Sequence, residues 1–288
     1  MTTLEPHSLV TRFAPSPTGP LHLGHAFAAV RAREAAGAPG AVCRLRLDDL
    51  DPARTRPEHE ATVVRQLDWL GLAFDRPVVR QSKRVAAYDA ALAGLAEAGL
   101  AYRCRCTRAD IMADIAAAVA APHGAESGHY PGTCRTATVG RDEPHAWRLH
   151  AGAVARRVGR VTWREGAVEH MVAARDLDDI VLKRRDGAAA YHLATVVDDA
   201  AMGVTLVVRG ADLAPSAPVQ ALLRAALGLG EPTHRHHALV AGPDGRRLAT
   251  RDHAAGLDTL MEEGWSGPAL AALLKEGRVP LPYSLLRS

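Results

Sequence analysis

Between residues 8 and 51 the chain passes through three stretches of different character. SLVTRF is short, partly β-branched and stopped by Pro15 and Pro17; an alanine-rich stretch runs from Leu21 to Ala36 and ends at Gly37; AVCRLRLDDLD then alternates apolar and polar residues and finishes in acids. Proline confines the first run to a strand entering a loop, and the second run has the length and stop signal of a helix. Two strands joined through a helix must lie parallel, because the helix crosses back over the sheet. Pro57 then opens a helix with Val63, Val64, Leu67 and Leu70 on one face, and Ser82 is read as the cap of another through Tyr88, Leu92 and Leu95 to Gly99. This succession predicts an α/β fold built on a doubly wound parallel sheet.

Residues 100–175 break the rhythm with cysteine, histidine, glycine and short polar strands, and read as an insertion. DIVLKRR, a turn at Asp186-Gly187 and AAAYHLATVV resemble a strand and its return, with 189–200 open to either strand or helix. GVTLVVRG is a strand, SAPVQALLRAALG a helix capped by Ser216, and a helical tail starts near Leu257. A chain of 288 residues has room for one large domain with an insertion, or two domains.

No apolar run is long enough to cross a bilayer, and MTTLEPHSLVTRF lacks the pattern of a secretory signal, so the cytoplasm and no membrane partner are expected. The formal charge is only +3, so any surface for nucleic acid must be a local one. Lysine occurs only at 83, 183 and 275, so nearly all 35 basic residues are arginine. Four cysteines are too few for a disulfide scaffold, and three of them cluster.

RFAPSPTGPLHLGHA carries the chemistry of the first turn. A helix amino terminus presents free backbone N–H groups and about half a positive charge, a setting for phosphate. His22 and His25 project from nearly the same side of that turn, and Gly19 and Gly24 leave room for close approach. Both imidazoles can donate to one phosphate group as charge builds on it. A lone His-x-x-His is more often chance; the flanking strand and Pro-Ser-Pro-Thr-Gly loop favour the functional reading.

Those residues also resemble the first signature of class I aminoacyl-tRNA synthetases, and the Pro-Ser-Pro-Thr-Gly form is similar to glutamyl-tRNA synthetases. LRLDDLDPAR at 45–54 and YHLATVVDDAAMGVTLVVRGADL at 191–213 are similar to further segments of that family. The chain leaves no room for a helical anticodon-binding region, and with its cysteine pattern it resembles the truncated branch, the glutamyl-queuosine tRNA(Asp) synthetases. The resemblance implies a class I Rossmann-type domain that activates L-glutamate with ATP and Mg²⁺, without needing tRNA. It then attaches glutamate to the queuosine base in the anticodon loop of tRNA(Asp).

The resemblance implies that Arg12 and Arg209 hold carboxylate oxygens, that Ser16 and Tyr191 add hydrogen bonds, and that Asp48 takes the ammonium; Thr195 is a further pocket position. The planar guanidinium fork suits a carboxylate. Asp48 stands where the family has glutamate, so the backbone has moved in, a water bridges the gap, or another amino acid is preferred. Asp49 and Asp51 are read as loop caps rather than metal ligands. His22, Gly24, His25, Arg247, Thr250 and Arg251 make up the ATP set, with His22, His25 and Arg251 as catalytic groups.

Cys104, Cys106 and Cys134, with Tyr130, place three thiols and a phenol in the insertion, a donor set suited to structural Zn²⁺. The truncated family binds zinc through a Cys-x-Cys, a Tyr and a Cys at similar spacing, which implies this set; His123 and His129 are chemically more ordinary fourth ligands. Cys43, within a strand, reads as core. The second signature, Lys-[Leu/Met]-Ser-Lys, is here RRLATR, and Thr250 replaces its second lysine. Arg251, or Arg246, then supplies the missing charge, or activation is slow or lost.

The expected organisation is 1–100 as the first half of the catalytic domain, 101–175 as a zinc-bearing acceptor-binding insertion, 176–254 as the second half and 255–288 as a helical tail, in a monomer. Two rivals remain: a nucleotidyltransferase or adenylate-forming ligase with another acceptor, and a catalytically silent RNA-binding relative.

Overall fold

The computed structural model describes residues 9–120, 130–173, 177–248 and 256–286, with the backbone alone for 115–120. The first strand β1 (Val10–Phe13), helix α1 (Leu23–Ala35), strand β2 (Val42–Leu47), helix α2 (Pro57–Trp69) and strand β3 (Asp75–Arg80) follow the predicted order. β2 lies between β1 and β3, and both pairings are parallel. Further on, β9 (Leu206–Gly210) pairs parallel with β10 (Thr233–His237), which pairs parallel with β6 (Thr162–Glu165); β7 (Val168–Met171) forms the edge. The two groups of strands meet where the Thr205 N–H donates to the Val10 carbonyl at 2.9 Å. This is the parallel α/β sheet that the strand and helix alternation predicts.

The period-two alternation of β2 decides what each face of the sheet does. Cys43, Leu45 and Leu47 point into an apolar cluster with Phe27 and Val30 of α1 and with Leu270 and Leu274 of the tail helix α9 (Gly267–Lys275). Arg46 points the other way, toward helix α6 (Tyr191–Ala201). A second cluster joins α6 to α3 (Val85–Glu97) and α7 (Ser216–Ala226) through Leu92, Leu95, Leu193 and Leu222. The segment at 189–200, open to either reading in the sequence, is thus mostly helical, because its apolar residues bury on a helix face against α3 and α7.

Two capping expectations are corrected. Ser82 does not cap α3: its hydroxyl and amide both donate to Asp49, at 2.6 and 2.8 Å, while Arg84 precedes the helix. Ser216 is the first residue of α7 and Pro215 precedes it. Asp49 and Asp51 do stitch their loop together, Asp51 accepting from the Ala53 N–H and from Arg54.

The cysteine-bearing region forms its own antiparallel sheet, β4 (Ala101–Cys104) with β5 (Ala146–Leu149) and β8 (Val181–Lys183), accompanied by α4 (Arg108–Ala120) and α5 (Ala151–Val158). Strand pairing crosses residue 175 in both directions: β6 and β7 join the parallel sheet, and β8 joins the sheet of β4. Among the described residues no helix is long and apolar enough to cross a membrane.

The tail returns to the start of the chain. The Leu257 N–H donates to the Leu21 carbonyl, and buried Gln66 of α2 bridges the Leu21 N–H, at 2.7 Å, to Asp258 of α8 (Leu257–Glu262), at 2.9 Å. A Cβ on Gly267, where α9 begins, would lie 1.9 Å from the Trp69 carbonyl oxygen. Gly267→Ala must push α9 off α2, and thermal denaturation is expected to show a loss of about 1–3 kcal/mol, or about 2–5 °C in Tm.

Candidate active site

In an open parallel sheet, ligands bind outside the carboxyl ends of the strands where the strand order reverses. Here that point lies between β1 and β9. A cleft of about 670 Å³ opens there, lined by Arg12, Ser16, Asp48, Tyr191 and Arg209 among others. It runs into a neighbouring cavity of about 390 Å³ lined by His22, Gly24, His25, Asp212 and Arg247. Ser16, Thr18 and His25 border both.

His22 caps α1. Its Nδ1 accepts the Gly24 N–H at 3.1 Å, while the His22 N–H donates to His25 Nδ1 at 3.2 Å, and the two rings stack with centroids 3.7 Å apart. Burial lowers the His22 pKa to about 4, with Arg247 adding to the effect; burial and then His22 lower that of His25 to about 3. Both rings are therefore neutral at pH 7. With each Nδ1 engaged as an acceptor, the hydrogen-bond network assigns the proton to Nε2 in both. Gly24 leaves the His22 ring its room: a Cβ there would lie 3.0 Å from it and press it aside.

The amino-acid end is a lattice of buried charge. Asp199, in the last turn of α6, accepts from Arg12 Nε at 3.0 Å and Arg46 Nη1 at 2.6 Å, and lies 3.5 Å from Arg224 Nη2. Burial alone would push Asp199 up; Arg12, Arg46 and Arg224 reverse that and hold it well below the carboxylate range. Arg46 also grips both oxygens of Asp48, at 2.6 and 3.3 Å. Burial nevertheless raises the Asp48 pKa, with Arg46 opposing the shift. The neighbouring Asp198 is enclosed by Gln81, Arg84 and Tyr88.

Arg209 differs from these arginines. Its hydrogen bonds go to uncharged groups, the Gln220 amide oxygen at 2.8 Å and His236 Nε2 at 3.1 Å, with the Tyr191 hydroxyl also close; burial lowers its pKa, and Tyr191 and Asp199 oppose that shift. Its Nη2 is buried with no partner among the described residues. Tyr191, at the first turn of α6, borders the cleft; one turn on, the Thr195 hydroxyl is buried without a partner among the described residues. Arg247 forms an ion pair with Asp212 beside His22.

The predicted residues Arg12, Ser16, His22, Gly24, His25, Asp48, Tyr191, Arg209 and Arg247 thus border one continuous trough. Thr250 and Arg251 fall outside the described residues, as do His123 and His129. The sequence reading missed Arg46, Asp199, Gln220 and His236. Arg46 shares the alternating face of Asp48, and Asp199 lies eight residues beyond Tyr191, two turns along one helix, so periodicity carried a signal for both.

A second cluster occupies the insertion. Cys104, Cys106 and Cys134 bring their sulfurs within 4.8 Å of one another. Cys106 and Cys134 are 3.4 Å apart, and the Tyr130 hydroxyl lies 3.2 Å from Cys104 and 3.7 Å from Cys106. Burial pushes the Cys106 thiol up to about 12; Cys134 is pulled down because donors from the Arg105 backbone, Cys106 and Tyr130 outweigh its burial. The Tyr130 ring is held by Arg148, 4.0 Å above its centroid, and the Tyr130 backbone N–H donates to Asp178 at 2.7 Å. Cys43 is buried in the core of the main sheet.

The catalytic-domain model of the class I tRNA synthetases (E and Q) matches residues 8–277. The glutamyl-Q tRNA(Asp) synthetase of Rhodobacter capsulatus is 42% identical over 280 residues, covering 92% of this chain and 99% of that protein. The chain belongs to this family. The glutamyl-Q tRNA(Asp) synthetase of Nocardia farcinica is 44% identical, covering 94% of this chain and 86% of its own. The glutamate-tRNA synthetase of Elizabethkingia anophelis superposes with a TM-score of 0.76 at 25% identity over 93% of this chain, which spans 61% of that larger molecule. Mycobacterium tuberculosis methionyl-tRNA synthetase, at 11% identity and a TM-score of 0.58, shares the fold. As a member of the class I tRNA synthetases, the chain is a ligase.

Buried neutral histidines give this fold an acid-side weakness. His22, His25, His192 and His234 all have pKa values lowered to about 3–4, each chiefly by burial. Unfolded histidine protonates near 6.5, so below that pH the unfolded chain binds protons that the folded one refuses, and stability falls. The melting temperature is expected to drop steadily from pH 7.5 to 5; a flat profile would contradict the burial of these rings.

Proposed function

We propose that this chain activates L-glutamate with ATP, without needing tRNA, and transfers it from glutamyl-adenylate to the queuosine base of tRNA(Asp). The observation that carries the reading is the buried, unpartnered Nη2 of Arg209 among the described residues. Near it, Arg12, Arg46, Arg209 and Arg224 face Asp48 and Asp199, while burial raises the Glu231 pKa to about 7. Positive charge is in excess, and an acidic ligand would balance it.

In this reading Arg209 and Arg12 bind carboxylate oxygens, with Ser16 and Tyr191 adding hydrogen bonds. Asp48 keeps outward lone pairs beside its Arg46 contacts to accept the substrate ammonium. The substrate carboxylate attacks the ATP α-phosphorus and pyrophosphate leaves. His22 and His25 donate Nε2–H to the phosphoryl oxygen as its charge grows, and the α1 amino terminus adds its dipole. Gly24 admits the nucleotide close to the helix. Arg247 lies on the side of the departing pyrophosphate; Arg251, outside the described residues, is assigned the charge that Thr250 lacks in place of lysine, and Mg²⁺ bound with ATP would neutralise phosphate charge. A hydroxyl of the queuosine base then attacks the acyl carbon of glutamyl-adenylate; the acyl–phosphate bond breaks, AMP leaves as the phosphate monoester, and the hydroxyl proton passes to solvent. Positioning and charge carry both steps without a covalent enzyme intermediate.

Cys104, Cys106, Tyr130 and Cys134 would hold a structural zinc. Tetrahedral Zn²⁺ with bonds of about 2.3 Å to sulfur sets two sulfur ligands roughly 3.8 Å apart, and a shorter bond to oxygen brings a phenol closer; Cys106 and Cys134 stand 3.4 Å apart, with the Tyr130 oxygen 3.2 Å from Cys104 and 3.7 Å from Cys106. The acceptor-binding insertion expected at 101–175 gives up β6 and β7 to the parallel sheet and takes in β8; it lies between catalytic segments that start at 1 and resume after β8, ahead of the tail at 255–288, in a cytoplasmic monomer.

Exchange of labelled pyrophosphate into ATP, run with each standard amino acid and no tRNA, tests the main reading. Glutamate is expected to stand out, and Arg209→Ala to lower its kcat/KM roughly 10²-fold. Exchange that ignores every amino acid would point to a nucleotidyltransferase, and the absence of exchange with salt-sensitive RNA binding to a silent relative. Metal analysis is expected to give about one zinc per chain, with Cys106→Ser reducing it; unchanged content in the variant would remove the site.

A further inference from the structure

Arg209 leans on a group whose role depends on its protonation. A guanidinium offers only donors, so the 3.1 Å contact from Arg209 Nε to His236 Nε2 is a hydrogen bond only while that nitrogen is bare. Glu165 imposes this state. Its Oε2 lies 2.6 Å from His236 Nδ1, and its Oε1 accepts the His236 backbone N–H at 2.8 Å. The carboxylate draws the single ring proton to Nδ1 and leaves Nε2 as an acceptor. Strand order builds the relay: β10 lies between β6 and β9, with His236 directly opposite Arg209.

We propose that Glu165 and His236 are positioning residues that aim Arg209 at the substrate carboxylate, and that protonation of His236 releases Arg209 and weakens glutamate binding in acid. This rests on the reading of Arg209 as a carboxylate ligand. A doubly protonated ring would turn an N–H toward the guanidinium and set two cations against each other. Facing His236 are Glu165 from β6, Arg209 from β9, and His234 and His237 on its own strand. Arg31 and Glu34 of α1 border a cavity it shares. Burial and Arg209 lower its pKa while Glu165 opposes them, so the ring is neutral at pH 7.

Three variants and one spectrum test the proposal. Glu165→Gln leaves a half-exposed side chain of the same shape but no longer fixes the Nδ1 proton, and His236→Leu removes the acceptor. Each is expected to weaken glutamate binding by calorimetry roughly tenfold or more at pH 7.5 with ATP binding unchanged. His236→Gln, whose amide oxygen replaces Nε2 and does not titrate, is expected to keep affinity near that of the unaltered protein and to flatten its decline below pH 6.5, the side to which burial lowers the His236 pKa. Nitrogen NMR of the His236 ring is expected to show a protonated Nδ1 and a bare Nε2. The opposite tautomer, or variants that leave glutamate affinity intact or shift ATP and glutamate together, would overturn the proposal alone. Failure of the unaltered protein to bind any acidic amino acid, with the expected tautomer present, would overturn the carboxylate reading and this proposal with it.

Discussion

One buried carboxylate holds the amino-acid end of the cleft in shape. Asp199 lies between Arg12 on β1, Arg46 on β2 and Arg224 on α7, so it ties two strands of one half of the sheet to two helices beyond it. Without Asp199, three guanidinium groups would face one another in a site from which water is largely excluded, a cost of several kcal/mol. With it, each arginine is oriented before any ligand arrives. Arg46, gripping both Asp199 and Asp48, passes that order to the carboxylate at the end of β2.

The arginines therefore divide into two kinds. Arg12, Arg46 and Arg224 are paired with acid inside the protein, whereas Arg209 is held by an amide and a neutral imidazole and keeps its charge for the cleft. Desolvation strengthens such a cation toward an anion and makes it costly to leave unpaired. The histidine pair follows the same logic from the other side. Buried and neutral, His22 and His25 turn their Nδ1 atoms to backbone and present N–H groups without adding a fixed positive charge that would trap a phosphate.

Much of this architecture is legible in the order of residues. The β-α-β opening, the helix from Leu21, the alternation of β2 and the convergence of cysteines in 100–175 are all local patterns, and local patterns survive in sequence. The helix at Tyr191–Ala201 is not legible in that way, because alanine- and valine-rich segments of that length suit either a strand or a buried helix. Ser82 misleads because serine before a helix usually caps it; Asp49, distant in sequence, wins the hydroxyl instead.

Residue types at fixed spacing, His22 with His25, Arg46 with Asp48, and Cys104 with Cys106 ahead of Cys134, were determined by the sequence alone, since each follows from the period of a helix or strand or from plain chemical kind. Which charges end paired and which end free was decided only in three dimensions. Asp199 reaches Arg12 across 187 positions, and His236 reaches Arg209 and Glu165 only because β10 lies between their strands. Electrostatic partners are set by distance and burial, and neither can be read until the sheet has brought remote segments together.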